Sequence, residues 1–533
     1  MTRRLLAAAS VLALCAGTAQ AETVLHILHT NDVHSRIEPI NAYDSTCSEE
    51  ELAADECFGG VARIATKINE LRDQITAEGG NVIVLDAGDQ YQGTLFYTTY
   101  KGEEVVEFMS AIGYDAMAVG NHEFDDGPDG LAVLTDGVEF PILSSNLDVS
   151  QSNVLADKVA KHTVLEVGDT RIGIVSALAM DTPETSSPGP SVIFQDDADS
   201  LAAAAAELAD QGVDKVIALT HVGYVRDLEL AAEVAGIDAI IGGHSHTLLG
   251  DMEGAVDAYP TMVAGPDGTE VPVAQAYAYG KYLGHLTLTF DDAGVLVSAE
   301  GQPVLLDASV AEDEGIAARV AEMAQPIAAL REEVVASTTA PIEGAREVCR
   351  AQECEMGNLV ADAMVDRVAD QGVTIAIQNG GGLRASIDEG DVTMGEVYTV
   401  LPFQNTLATF ELTGADIIAA LENGASQYEE QAGRFAQVAG LKYTVDPAAE
   451  AGARISEVMV QAEGEWVAID EAATYGVATN NYMRGGGDGY AVFASNGQNA
   501  YDFGPDLAEV LADYLGAQEG GYTPYTDGRI TVK

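Results

Sequence analysis

The sequence predicts a layered α/β fold followed by a second, smaller α/β domain, and three observations carry that reading. Short apolar runs rich in Val, Ile or Leu alternate with helical stretches through the first half of the chain. These runs end abruptly in Asp, Asn, His or Gly. Near residue 308 the composition shifts to Ala and Glu, and a new set of strands and helices follows.

The runs, in order, are Val24 to Leu28, Val82 to Leu85, Ala116 to Val119, Val216 to Leu219 and Ile237 to Ile241. Each is short and, His26 and Asp238 apart, apolar, as a strand buried on both faces must be. Helical stretches such as Leu201 to Ala209 supply the alternation. The polar residues that close the runs then stand at the carboxyl ends of strands, the edge at which α/β sheets bind ligands. Five separated segments therefore converge on one site. From about 308 to 335, apolar positions recur at helical spacing with Pro326 interrupting, which predicts a connecting helix or helix pair. Beyond it, Val373 to Ile377 and Thr474 to Ala478 read as strands, Met356 to Val368 and Gly414 to Asn423 as helices, and Gly380 to Gly382 and Gly485 to Gly487 as tight loops. The expected division is 22–307 for the first domain, 308–338 for a helical linker and 339–533 for the second domain.

Composition narrows the function. There are 85 Asp plus Glu against 25 Lys plus Arg in 533 residues, a net charge of −60. Such a surface repels polyanions, and with eight lysines and no basic run the chain is not a binder of nucleic-acid polymers. A 47% hydrophobic content is that of a globular chain with a sizeable core. Residues 1–21 run from Arg3-Arg4 through an apolar stretch, Leu5 to Gly17, to Ala19-Gln20-Ala21, the order of a secretory signal cleaved after Ala21. No later run approaches the roughly 20 apolar residues a membrane span requires. The expectation is an exported protein, periplasmic or extracellular, with no transmembrane segment. Four further cysteines fall in two close pairs and read as the disulfides Cys47–Cys57 and Cys349–Cys354, at home in an oxidising compartment. Neither pair has the spacing of a zinc knuckle.

Five of the nine histidines lie at the strand ends: His34, His122, His221, His244 and His246, accompanied by Asp32, Asp89 and Asn121. Oxygen ligands mixed with imidazoles suit Zn²⁺ or Mn²⁺, and about seven ligands are too many for one tetrahedral site. Two divalent ions sharing a carboxylate is the economical reading, and such a pair activates water for attack on phosphorus. Asp89, next to Gly88, is the better bridging candidate, with Asp86 behind it orienting a ligand. His26, His162 and His285 lack such company and read as structural or surface residues, while strand alternation leaves the face of His29 unassigned.

Asp32-x-His34, Gly88-Asp89, Gly120-Asn121-His122-Glu123, His221 and Gly243-His244-Ser245-His246, in this order, resemble the calcineurin-like metallophosphoesterases, in which a β-sandwich is flanked by helices. The resemblance implies one metal on Asp32, His34, Asp89 and His246, and the other on Asp89, Asn121, His221 and His244. It further implies a bridging hydroxide as nucleophile, and a His122/Asp125 dyad facing the phosphoryl group. In secreted 5′-nucleotidases the position of His246 is commonly an amide, which a histidine can replace as a ligand.

The second domain carries the substrate information. Asn379-Gly380-Gly381-Gly382-Leu383-Arg384 closely matches the Asn-Gly-Gly-Gly-Ile-Arg motif of 5′-nucleotidase C-terminal domains, and Arg350 within Cys349 to Cys354 matches their disulfide-bracketed arginine. Leu401-Pro402-Phe403 and Tyr482 to Tyr490 match their base-binding segments. The resemblance implies that Phe403 and Tyr482 sandwich a nucleobase, at roughly 1–3 kcal/mol per stacked base. Asp488 would then take a ribose hydroxyl, and Asn379, Arg350 and Arg384 would complete the nucleotide grip. The implied activity is release of phosphate from nucleoside 5′-monophosphates, with UDP-sugars as an extension. A 2′,3′-cyclic-nucleotide phosphodiesterase with 3′-nucleotidase activity is the nearest alternative. A thiosulfohydrolase shares the architecture, yet its carrier-thiol substrate does not require the Phe403/Tyr482 pair. A nucleotide-binding module with dead metals conflicts with the intact ligand set. The sequence assigns no role to Arg484 and names no protein partner.

Overall fold

Strand Thr23–Thr30 shows why this chain builds layers. Leu25 and Ile27 belong to one hydrophobic core and Leu28 to another, and Ile83 and Leu85 against Val84, and Ala116 and Ala118 against Met117, repeat the alternation. Side chains two residues apart share a face, so each of these strands seals two cores at once. The computed structural model describes residues 22–41, 44, 47, 49–180, 182–266, 268–403, 405–462, 464–502 and 504–533. The expected export signal over 1–21 lies outside the described residues.

Two six-stranded sheets form the first domain. One runs, edge to edge, Leu296–Leu305, Tyr282–Phe290, Thr23–Thr30, Asn81–Asp86, Ala116–Ala118 and Ile142–Leu143. The other runs Thr261–Ala264, Glu270–Ala274, Ala239–Ile241, Val216–His221, Thr170–Leu178 and His162–Val167. They share a core in which Leu25, Ile27 and Leu85 meet Ile174, Ala218 and Ile240. Helices Asp197–Asp210 and Tyr224–Glu233 add Leu201, Leu208 and Leu230 to it. Helices Val61–Ala77, Glu103–Ile112 and Gly127–Gly137 pack on the first sheet through a second core. The result is the expected helix-flanked sandwich. Parallel register levels the carboxyl ends: Thr30 lies opposite Asp86 and Asp86 opposite Met117, while Leu178 lies opposite His221 and Leu219 opposite Ile241.

The expected helical stretch over 308–338 is shorter in the structure. One helix, Glu314–Arg331, capped by the Asp313 side chain, passes through Pro326 without breaking into a pair. Its Val320, Met323 and Ile327 complete the second core of the first domain, and Arg319 and Arg331 hold Glu107 and Glu38 at 2.7 and 2.6 Å. That packing outweighs the one backbone hydrogen bond a proline removes. Val334–Thr338 is a strand and pairs antiparallel with Gly390–Thr393, so the β-branched pair Val334-Val335 already belongs to the second domain. There, a five-stranded sheet ordered Ala436–Ala439, Ile375–Asn379, Thr474–Asn480, Leu407–Thr413 and Gln498–Tyr501 packs helices Glu355–Arg367 and Leu507–Gly516 on one face and Gly414–Gly424 on the other. Both disulfides, Cys47–Cys57 and Cys349–Cys354, are formed. No helix among the described residues is long and apolar enough to cross a membrane.

Ile83 is almost fully buried between the two six-stranded sheets, and Ile83→Ala is expected to destabilise the first domain by about 2–5 kcal/mol. Urea unfolding checks this. An unchanged midpoint would mean that the two sheets do not share a core.

Candidate functional site

The strand ends deliver their polar residues to one place. Two groups of ligand atoms, Asp32 with His34 and His246, and Asp89 with His221 and His244, each lie within 4.8 Å of one another. His246 Nε2 is 3.3 Å from Asp32 Oδ1 and 3.0 Å from His34 Nε2. His221 Nε2 is 3.0 Å from Asp89 Oδ2, and His244 Nδ1 is 2.8 Å from Asn121 Oδ1. His34, Asp89 and His122 form a third group among the described residues.

Backbone conformation aims these groups. Asp32, His34, Asp89, His244 and His246 have φ of 50, 50, 57, 75 and 54°. The left-handed region costs a residue with a Cβ about 1–3 kcal/mol, and such positions cluster at functional sites. Gly88 precedes Asp89 because a Cβ there would stand 2.7 Å from the Gly120 nitrogen and 2.9 Å from His221 Nδ1.

Chemistry of the donor set tests whether metal ions fit. His221 Nδ1 donates to the Ala87 carbonyl at 2.6 Å and His34 Nδ1 to that of Tyr91 at 3.2 Å. A carbonyl only accepts, so each ring donates there and leaves its Nε2 facing the carboxylates. Burial would lower His221, but Asp89 and Asp32 outweigh it and lift the ring to about 10, so its Nε2 carries a proton where no metal ion takes that place. His221 Nε2 is buried and makes no aligned hydrogen bond. Burial pushes His34 down to about 3, which keeps it neutral. Burial alone would raise Asp89, but the His221 and His122 imidazoles outweigh it and hold the carboxyl well below the usual range. Imidazole nitrogens converging on two buried carboxylates call for positive charge, as protons or as metal ions, and the mixed donors fit metal ions.

His122 stands apart. Its Nδ1 is 2.7 Å from Asp125 Oδ2, and Asp125 Oδ1 accepts the Ser186 hydroxyl at 2.7 Å. Burial would lower the imidazole, yet Asp125 and Asp89 outweigh it and lift the ring to about 10. The neighbouring Glu123 is a clamp the sequence did not reveal. Its buried carboxylate accepts backbone N–H groups of Gly120, Asp89, Gln90 and Tyr91 at 2.7, 3.0, 2.8 and 3.2 Å, tying the Asp89 loop to the Asn121 loop. Burial, with Asp89 nearby, pushes Glu123 up to about 7. Asp86 holds the same loop from behind through Gly88 N and Gln90 Nε2 at 3.0 and 2.7 Å. His29 faces Tyr259, whose hydroxyl is 2.7 Å away, His26 pairs with His285, and His162 meets Glu207 at the surface.

A cavity of about 700 Å³ separates this cluster from the second domain. His34, Asp89, Asn121, His122, His244 and His246 line one wall. Arg350, Asn379, Arg384, Phe403, Tyr482 and Asp488 line the other. Asp32 and His221 sit behind the first wall, fully buried, and Asp125 faces a neighbouring cavity. Asp488 accepts from Asn379 Nδ2 at 2.7 Å and from the Tyr482 hydroxyl at 3.0 Å. Arg350 is buried with an unpartnered Nε, and burial, with Arg346 and Arg384 close by, pushes it down to about 10. Such a guanidinium is poised for an anion. Arg484, unassigned from sequence, donates to the Phe493 carbonyl at 2.9 Å and covers the Phe410 ring, a structural role. Arg36, Gln92 and Tyr279 also line the cavity and escaped the sequence reading; only the proximity of Arg36 to His34 in the chain hinted at one of them.

Residues 25–248 match the family model of the calcineurin-like phosphoesterases, and residues 334–495 that of the 5′-nucleotidase C-terminal domain. The chain is 38% identical over 532 residues to the 5′-nucleotidase of Homo sapiens, covering 95% of this chain and 90% of that one. It is 37% identical over 530 residues to the snake venom 5′-nucleotidase of Naja atra, covering 95% and 98%. Among solved structures, the 5′-nucleotidase precursor of Thermus thermophilus superposes with a TM-score of 0.77 at 41% identity, over 96% of this chain and 99% of that one.

Glu123→Ala would strand four buried backbone donors and is expected to cost about 2–4 kcal/mol. Chemical denaturation measures it. A loss below about 1 kcal/mol would mean that the clamp does not hold the two loops.

Proposed function

The chain belongs to the 5′-nucleotidase family, and from that membership we propose how its residues divide the hydrolysis of nucleoside 5′-monophosphates between two domains. As a metal-dependent phosphoric ester hydrolase of calcineurin-like fold it works with a dimetal centre. Asp32, His34, Asp89 and His246 hold one divalent ion, and Asp89, Asn121, His221 and His244 the other, with Zn²⁺ or Mn²⁺ suited to the mixed donors. When bound, the pair polarises the phosphoryl oxygens and makes water nucleophilic near neutral pH.

The protein's own groups do the rest. Asp125 holds His122 through Nδ1, leaving Nε2 to stabilise charge on the phosphoryl group or give a proton to the departing 5′-oxygen. Arg350 and Arg384 counter the substrate's negative charge. Phe403 and Tyr482 offer aromatic faces to the base, and Asp488, fixed by Asn379 and Tyr482, accepts from a ribose hydroxyl. The observation that carries this reading is the cavity of about 700 Å³ lined on one side by His34, Asp89, Asn121, His122, His244 and His246 and on the other by the nucleotide-facing residues. Its size is that of a small-molecule site. The division follows the same line, 22–307 for phosphate chemistry and 339–533 for the nucleoside. Two disulfides and the N-terminal segment support export from the cytoplasm.

Hydrolysis of AMP, 3′-AMP, 2′,3′-cyclic AMP, UDP-glucose and a thiosulfonate, each followed by chromatography of its own products, tests the assignment. AMP is expected to be hydrolysed fastest, with activity lost to chelator and restored by Mn²⁺ or Zn²⁺. Metal-loaded protein that spares AMP would contradict it. His122→Ala is expected to lower kcat by about 100-fold or more while both metals stay bound. Because His122 lies within ligand distance of His34 and Asp89, parallel loss of metal would make it a ligand instead.

A further inference from the structure

Gln92 lies three residues beyond Asp89 in the first domain, yet its side chain reaches the second: Nε2 donates to the backbone carbonyl of Phe403. Among the described residues this hydrogen bond joins the two domains directly across the cavity. We propose that Gln92 is a positioning residue that sets the distance between the dimetal centre and the base-stacking ring of Phe403, and so selects substrates carrying a nucleoside. The proposal rests on the reading of Phe403 as a nucleobase contact.

The segment that carries Gln92 is fixed on both sides. Upstream, Glu123 accepts the N–H groups of Asp89, Gln90 and Tyr91. Downstream, Arg36 Nη1 donates to the Gly93 carbonyl at 2.5 Å, and the Thr94 hydroxyl donates to the Ser35 carbonyl at 2.7 Å. At Gly93 a Cβ would stand 2.6 Å from Arg36 Nη1 and 2.9 Å from the His34 carbonyl, so the turn packs directly on the His34 segment with no room for a side chain. Gln92 itself is buried, in a left-handed conformation with φ of 68°. Asp89 to Gly93 are thus tied at both ends, with the Asp89 carboxylate near one end and the Gln92 amide near the other.

Phe403 needs such a contact. It lies in the loop between helix Met394–Val400 and strand Leu407–Thr413, and its ring is flanked by the Arg384 guanidinium at 5.5 Å. Holding its carbonyl fixes the peptide from which the ring projects. In a nucleoside 5′-monophosphate, covalent bonds limit the separation of phosphorus and base, so an arrangement of the two domains held at a matching separation lets both ends of the substrate bind at once. A small aryl phosphate reaches the metals without the platform and gains nothing from it.

The test is a double-mutant cycle on the full-length, metal-loaded protein, comparing AMP with 4-nitrophenyl phosphate. Gln92→Ala and the near-isosteric Gln92→Glu, which cannot donate, are each expected to lower the ratio of kcat/KM for AMP to that for the aryl ester by about three- to tenfold, as one hydrogen bond allows. The change should fall chiefly on KM for AMP, with metal content retained. In a Phe403→Ala background, Gln92→Ala should leave the ratio within about twofold, since no ring remains to be positioned. An equal fall in both backgrounds, an unchanged ratio in the Phe403-containing protein, or loss of metal would overturn the role assigned to Gln92. A Phe403→Ala variant that keeps full AMP selectivity would overturn both this role and the nucleobase contact on which it rests, separating the two failures.

Discussion

Two carboxylates, Asp32 and Asp89, are withdrawn from water at the heart of the first domain, and the rest of the structure answers that fact. Buried negative charge is tolerated only where positive charge or ordered donors compensate it. Here imidazoles, His221 and His122 above all, supply part of the compensation, and in the proposed reading divalent cations supply the rest. Because the groups must converge from separate loops, Asp32, His34, Asp89, His244 and His246 adopt a left-handed backbone. That strain persists only where surroundings over-determine it. The sealed sandwich provides the frame, and the Glu123 and Asp86 carboxylates lock the loops to it.

Convergence at strand ends also decides what could be read from the sequence. Clusters such as Gly120-Asn121-His122-Glu123 keep ligand and frame within a few residues, so the ligand candidates and the α/β layers were both legible. The pairs Cys47–Cys57 and Cys349–Cys354 were legible for the same reason. Gln92, Arg36 and Tyr279 were not, since each reaches the cavity through turns whose handedness no periodicity reports; Gln92 and Tyr279 themselves have positive φ. Glu123 stood in plain view within a motif, but its work lies in accepting backbone donors, and composition carries no record of those. The helix ends before the expected linker does because Ala and Glu dominate only up to Glu333, while the switch to strand rests on two valines and a partner strand more than 50 residues away.

Net charge acquires a second meaning. At −60 the molecule repels anions at long range, yet the cavity collects Arg36, Arg350 and Arg384 from both domains. Arg350, flanked by two other arginines and lacking a partner for its Nε, is costly to bury without an anion. The second domain thus turns positive charge toward the wall on which the first domain gathers its cation ligands. In the proposed reading the phosphate of a nucleotide meets both, with metal ions on one side and guanidinium groups on the other.

On the reading proposed above, the strand ends form two cation sites sharing Asp89. Anomalous diffraction at the metal edge, from crystals of the protein loaded with Zn²⁺ or Mn²⁺, locates the ions. Two peaks are expected, one among Asp32, His34, Asp89 and His246 and the other among Asp89, Asn121, His221 and His244. A single peak, or a second peak held by His122, would contradict it.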